Sequence, residues 1–489
     1  MKIDSIRSGI PLLWVCMLYA CGNAGTTEPP ARPNIIFIIG DDISAEDIGA
    51  YGNPLVKTPN INQLAAKGLK FSNMFVTASS CSPSRSSILT GRYPHNTGAA
   101  ELHTPLPAHL SFFPEQLKNS GYYTALLGKW HEGPETARAY DTIVAGVKHN
   151  GTGGETQWIN ILKGRPSEKP FFFWLSPFDA HRDWDADSFF IRHDPATEVQ
   201  VPNTLVDDAD TRKDLASYYN EIGRLDYHIG KLQEALREEG IDKNTIVVFT
   251  ADNARPFPNS KTRLTDRGTR TPFIVYWPEG ITQSGVVDAL VSTIDIAPTF
   301  LELAGVAPAE SIQGRSFDTL LVNPSADFRN YIFAEHNWHD YEAYERSVRT
   351  KDYLYIYNGR PQLDNGGPID ANQSPSAGSL KKAAQQGRLT DLQKDVFIRP
   401  REKETFFVFA TDSLQIRNEI NNPQYVDQIK SLKDILQLWQ SETADTEPAQ
   451  LTRDWYHRET GKPLPGKDIR GEMPGASQNA STVNNPGPF

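Results

Sequence analysis

Cysteine is almost missing from this chain of 489 residues: there are three, at positions 16, 21 and 81, and two of them sit in the opening segment. A dense disulfide framework is therefore excluded, and the fold has to rest on core burial, which a chain of this length can supply. Residues 10–20 form an apolar run that falls short of the ~20 residues a membrane-spanning helix needs. A basic excess is missing too. Lys and Arg number 49 against 60 Asp and Glu, a formal net charge of -11, which makes the chain a poor partner for nucleic acid. The same bulk charge repels any polyanion, so a site for an anionic ligand must gather its basic residues locally. No internal repeat is present.

What is present begins with a leader. Lys2 and Arg7 precede the apolar run from Ile10 to Ala20, and Leu18-Tyr19-Ala20-Cys21 resembles a bacterial lipobox. This implies a signal over residues 1–21, removed with Cys16, and an exported lipoprotein of the cell envelope that meets the membrane through lipid on Cys21. Residues 22–31 then read as a flexible tether. Cys81 becomes the one unassigned sulfur of the mature chain, which has no disulfide.

Short apolar runs recur and end in polar clusters. Ile35–Ile39 ends at Gly40-Asp41-Asp42, Tyr122–Leu127 at Gly128-Lys129-Trp130-His131, Phe171–Leu175 near Asp179-Ala180-His181-Arg182, and Ile246–Thr250 at Ala251-Asp252-Asn253. The unbroken Ile/Val/Phe runs are those of strands buried on both faces, and helical patterns at 61–70, 113–120 and 215–239 lie between the runs. An α/β domain with a mostly parallel sheet follows, with its ligands outside the carboxyl ends of the strands. It is placed at residues 32–345. Strand patterns at 353–357 and 405–409 and a helix over 423–439 suggest a smaller α+β domain, 346–462, with the polar stretch 359–400 reaching the site mouth. Residues 463–489, rich in Gly, Pro, Asn and Ser, read as disordered.

Asp41, Asp42, Asp252 and Asn253 supply three carboxylates and an amide oxygen from two strand ends, a donor set suited to a hard cation such as Ca²⁺. Cys81 sits before a helix expected from about Ser84, where backbone N–H groups and the helix dipole favour an anion. Glu101, His103, Arg182 and the 359–400 stretch are expected to line a pocket mouth and touch substrate.

Cys81-Ser82-Pro83-Ser84-Arg85, continued to Gly91-Arg92, resembles the sulfatase signature. The resemblance covers residues 32–445, and Gly128–Thr136, Phe257-Pro258 and Pro368-Ile369-Asp370 lean toward heparan N-sulfatases. It implies an alkaline-phosphatase-like sandwich with a large, mostly parallel central sheet, plus a smaller C-terminal α+β domain with an antiparallel sheet. It also implies that a maturating enzyme oxidises Cys81 to formylglycine, whose hydrated aldehyde is the nucleophile and completes the shell of one Ca²⁺. By the same resemblance Arg85 steadies the hydrate, Lys129 binds sulfate, and His131 takes a proton from the second hydroxyl. His181 and Lys261 serve the leaving group, with Arg263 a competitor for the part of Lys261. The expected substrates are sulfated saccharides: O-sulfated oligosaccharides from polysaccharide breakdown, with N-sulfoglucosamine as the alternative. Two other readings compete. A phosphatase or phosphodiesterase of the same superfamily would keep an unmodified nucleophile and use two metals; a silent glycan-binding lipoprotein would keep Cys81 as a thiol.

Overall fold

The central runs sort their side chains by parity. In a computed structural model of the protein, Ile35, Phe37 and Ile39 enter one apolar cluster while Ile36 and Ile38 enter another on the opposite face. A strand with period two can do this only when both faces of its sheet are covered. The structure describes Met1 and residues 32–146, 153–184, 191–364 and 367–489. The expected signal with Cys21, and the tether, lie outside them.

Twelve strands are present among the described residues. β1 (Asn34–Gly40), β2 (Leu69–Phe75), β3 (Tyr123–Gly128), β4 (Thr142–Ala145), β5 (Phe171–Ser176), β6 (Thr245–Ala251), β7 (Phe273–Tyr276) and β8 (Gly285–Ser292) form one sheet in the order β4-β3-β5-β1-β6-β7-β2-β8. All neighbours run parallel except β7, antiparallel to both β6 and β2. One face carries helix α1 (Pro59–Lys67) through Ile61 and Leu64, and helices α4 (Trp158–Gly164) and α5 (Ala209–Glu238); the other carries α2 (Cys81–Thr90) through Ile88 and α3 (Phe113–Asn119) through Phe113 and Leu117. Each fully buried Ile or Phe contributes roughly 1.5–3 kcal/mol, so the sheet core dominates stability.

α5 starts earlier than its apolar pattern because Asp208 accepts from Thr211 N at 3.0 Å and caps a polar first turn. α2 also starts earlier, at Cys81 rather than near Ser84: Pro83 lies in the first turn, where a missing N–H costs no intrahelical bond.

The second sheet is antiparallel, β12-β11-β10-β9, from β9 (Ile332–His336), β10 (Glu345–Arg349), β11 (Tyr353–Asn358) and β12 (Glu404–Val408). β9 precedes the boundary expected at residue 345, and residues 32–489 form one compact unit. A helix over Val426–Glu442 covers this sheet, with Trp439 stacked on Phe333 at 4.9 Å.

The tail corrects the expectation of disorder. Arg92, 1% exposed, donates to the carbonyls of Ser481 and Val483 at 3.1 and 2.8 Å and to Asn484 Oδ1 at 2.9 Å, and Phe489 lies under the Arg315 guanidinium at 3.7 Å. A segment poor in apolar residues is ordered here because its main chain satisfies a buried guanidinium. No helix among the described residues is long and apolar enough to cross a membrane.

Candidate active site

Register builds the site. β1 and β6 pair with Gly40 opposite Ala251, and β3 and β5 pair with Gly128 opposite Ser176. The residues after those four strands therefore emerge along one edge, as expected for ligand sites of parallel sheets. Gly128 has φ 114°, and a Cβ there would stand 2.0 Å from the Ser176 carbonyl oxygen, so only glycine lets the chain deliver Lys129 this close to β5. Asp41 N donates to Asp179 O at 2.8 Å and Ala180 N to Asp41 O at 2.7 Å, locking the first acidic pair to the segment that carries His181.

Asp41, Asp42, Cys81 and Asp252 all present ligand atoms within 4.8 Å of one another. The Cys81 sulfur stands 3.6 Å from Asp41 Oδ1, 3.5 Å from Asp42 Oδ1 and 3.5 Å from Asn253 Nδ2. Burial alone would raise the Asp41 carboxyl, but Lys129, His181, Arg85 and Lys261 hold it well below the ordinary carboxylate range. Burial raises Asp252 despite Arg85 beside it, and raises the Cys81 thiol well above its usual value. The residues fit a hard divalent cation: every donor but Cys81 is oxygen, the carboxylates crowd one point, and Asn253 Oδ1 is buried with no hydrogen-bond partner.

Cations surround this centre. Lys129 Nζ reaches Asp41 Oδ2 at 2.5 Å, and Lys261 Nζ reaches Asp42 at 2.8 Å and the Cys81 sulfur at 3.3 Å. Burial pushes both ammonium groups down, yet the adjacent acids, Asp41 for Lys129 and Asp42 for Lys261, keep them charged. Arg85, fully buried, donates from Nε to Asp252 Oδ2 at 2.7 Å and from Nη1 to Ser176 Oγ, while its Nη2 has no hydrogen bond. Arg263 does not compete with Lys261; it pairs with Asp395 at 3.0 Å.

His181 Nε2 lies 3.9 Å from Asp42 Oδ2 and 4.0 Å from Asp370 Oδ2. His131 Nε2 lies 2.7 Å from His103 Nδ1, and its Nδ1 is buried without a hydrogen bond. Burial first, then Lys129, lowers the pKa of both imidazoles, that of His103 to about 4. Both are neutral at physiological pH.

Two residues expected to touch substrate have their polar groups engaged within the fold. Arg182 is bidentate to Asp214 at 2.8 and 2.9 Å, donates to Pro256 O at 2.9 Å, and lies over Trp184 and Phe257. Its acidic partner on α5 was invisible in the sequence. Glu101 is fully buried and accepts from Thr452 Oγ1 at 2.7 Å and Arg470 at 3.1 Å. His103, at φ 63°, is turned to His131 and stands with it beside Lys129.

Two site residues were missed. Asp370 lies beside His181, and His339 Nδ1 shares a hydrogen bond with Ser80 Oγ at 2.7 Å, next to Cys81. His339 follows the end of β9, the same strand-end position that marked the other residues, but Ile-Phe-Ala-Glu-His is too short and polar to read as a strand.

The chain is similar to known proteins. The family model described as Sulfatase matches residues 33–151 and 156–306, and one described as N-sulphoglucosamine sulphohydrolase, C-terminal, matches residues 260–396. Human N-sulphoglucosamine sulphohydrolase is 30% identical over 85% of this chain and 91% of its own length. An ulvan-active sulfatase of Formosa agariphila is 27% identical over 85% of this chain and 76% of its own. A solved structure in complex with its substrate D-glucosamine-2-N,6-O-disulfate superposes with TM-score 0.65 at 20% identity, covering 84% of this chain and 98% of that one. With its signature cysteine held between two lysines and an acidic cluster, the chain belongs to the sulfatase family.

Proposed function

We propose that the protein removes sulfate from saccharides released in polysaccharide breakdown, using formylglycine made from Cys81 and one Ca²⁺ held by Asp41, Asp42, Asp252 and Asn253. The observation that carries the reading is the placement of Cys81 at the first residue of α2, 3.3 Å from Lys261 and within the carboxylate cluster. The ion supplies Lewis-acid polarisation of the sulfuryl group and the hydrated aldehyde supplies the attacking oxygen.

The chain's own residues do the rest. Lys129 and Lys261 neutralise sulfate oxygens that approach the N-terminus of α2. Arg85, tied to Asp252, fixes the orientation of that carboxylate. His181 donates a proton from Nε2 to the leaving oxygen or nitrogen, and His131, held neutral, accepts the proton that must leave the nucleophile's second hydroxyl. Tyr218 Oη donates to the Asp42 carbonyl at 3.1 Å and stiffens the loop beneath.

Ester sulfate is the preferred bond. Cleavage of N-sulfate is the second reading, favoured by the match of residues 260–396 to the sulphohydrolase C-terminal family. The leader pattern ending at Cys21 supports an envelope lipoprotein that meets a maturating enzyme before export. Peptide mass spectrometry across Cys81, together with sulfate release from ulvan oligosaccharides and from N-sulfoglucosamine, tests all of this. An aldehyde at position 81 and release from one of the two classes is the expected result. A free thiol at 81 in a chain made alongside an active maturating enzyme sinks the proposal.

A further inference from the structure

Arg263 is buried, 4% exposed at its side chain, yet Nε, Nη1 and Nη2 make no hydrogen bond. Its one ion pair among the described residues, at 3.0 Å, is to Asp395, whose side chain is 34% exposed. Nε of Arg267, four residues on, is likewise buried without a partner. Buried guanidinium nitrogens are costly when unsatisfied, and a planar fork of donors matches a carboxylate or sulfate.

Both side chains line a cavity of about 410 Å³ between the segment after Lys261 and the second sheet, together with Arg401, Lys394, Glu345 and Phe407. Of the acids that line it, Glu345 is occupied by Arg401 and His336 and Asp391 by Lys394, and Asp395 and Glu402 complete the set. Glu345, Asn358 and Arg401 also line a smaller pocket bounded by Thr262 and His339, and these two adjoin Lys261 and Ser80 beside Cys81. The two pockets thus adjoin through Glu345, Asn358 and Arg401, the smaller on the side of Cys81 and the larger on the side of Arg263, where Phe407 and Ile356 form an apolar wall.

We infer that Arg263 and Arg267 form a second oxyanion subsite, which takes a sulfate or carboxylate on a sugar next to the one being desulfated. This rests on the saccharide reading of the catalytic site. Asp395 fills the position in the free protein, and the ligand's anion displaces it.

Crystals soaked in selenate test the anion site without any saccharide. The expected anomalous peak lies within hydrogen-bond distance of Arg263 in the parent chain and is absent in Arg263→Gln; no peak at Arg263 in the parent overturns the inference. Calorimetry with hexasaccharides of heparin and of ulvan, in Cys81→Ala chains, identifies the source of the anion. Arg263→Gln should weaken the bound hexasaccharide about tenfold, and Arg263→Lys, which keeps the charge but not the fork, should recover only part of it. A selenate peak with unchanged hexasaccharide affinity overturns the saccharide assignment and leaves a site for a small free anion. If neither hexasaccharide binds the parent, the saccharide reading of the whole protein falls, and selenate alone then reports on Arg263. Should Arg263→Gln not fold by circular dichroism, Arg263→Lys and Arg267→Gln carry the same comparison.

Discussion

His103 Nδ1 and His131 Nε2 lie 2.7 Å apart, so the imidazole we propose as proton acceptor is oriented by a residue that the sequence places at the substrate mouth. One of the two nitrogens has to carry the proton and the other accept it, which couples the two tautomers to each other.

His103→Ala should therefore lower kcat about 10- to 100-fold on a small aryl sulfate as well as on an oligosaccharide, because a misplaced imidazole harms every substrate alike. Parallel kinetics on the two substrates check this. A loss confined to the oligosaccharide would return His103 to sugar binding.

Asp252→Asn removes a charge from the ligand set while keeping an oxygen for Arg85 Nε. Calcium affinity should fall by at least roughly tenfold and activity with it, with partial recovery at high calcium. Asp252→Ala is a worse test, since it strands a fully buried guanidinium. Titration calorimetry and chelator-treated activity decide; a rate indifferent to both changes rejects the metal site.

Arg182→Ala should cost stability. The Arg182–Asp214 pair is nearly buried, with side-chain exposures of 6% and 0%, and breaking such a pair typically costs about 3–5 kcal/mol. Denaturant melts should show that loss, while any remaining activity keeps the same ratio between small and large substrates.

Acid stability should depend on Asp445. Burial would raise its carboxyl, but Arg346, at 2.7 and 2.8 Å, holds it well below the ordinary carboxylate value. A depressed folded pKa means stability that is complete above the unfolded value of 3.8 and is lost progressively as pH falls below it toward the depressed folded value. Asp445→Asn should lower stability at pH 7 and flatten the loss between about pH 4 and about pH 2, below the unfolded value of 3.8. Unfolding curves at both pH values test the slope; parallel curves for parent and variant refute it.

Legibility in the sequence followed the range of the forces involved. β1 and β6 could be read because burial on two faces writes an uninterrupted apolar run, and the acids after them could be read because strand ends are local. The direction of β7 could not, since it depends on how a connection crosses the sheet. Arg182 and Glu101 look like free polar groups until Asp214, Thr452 and Arg470 arrive from 32, 351 and 369 residues away. The tail misled for the same reason: its partners are Arg92 and Arg315, and composition carries no trace of them.

The burial of Cys81, 2% exposed in the finished fold, sets a clock on its chemistry. Asp252, Asn253 and Lys261 close over the sulfur, and they leave the ribosome long after it does. At about 5–20 residues per second the cysteine waits roughly ten to forty seconds before its cage exists, and any enzyme that oxidises it has that interval in which to work. A mutation that hastened closure would yield a well-folded protein that is inert.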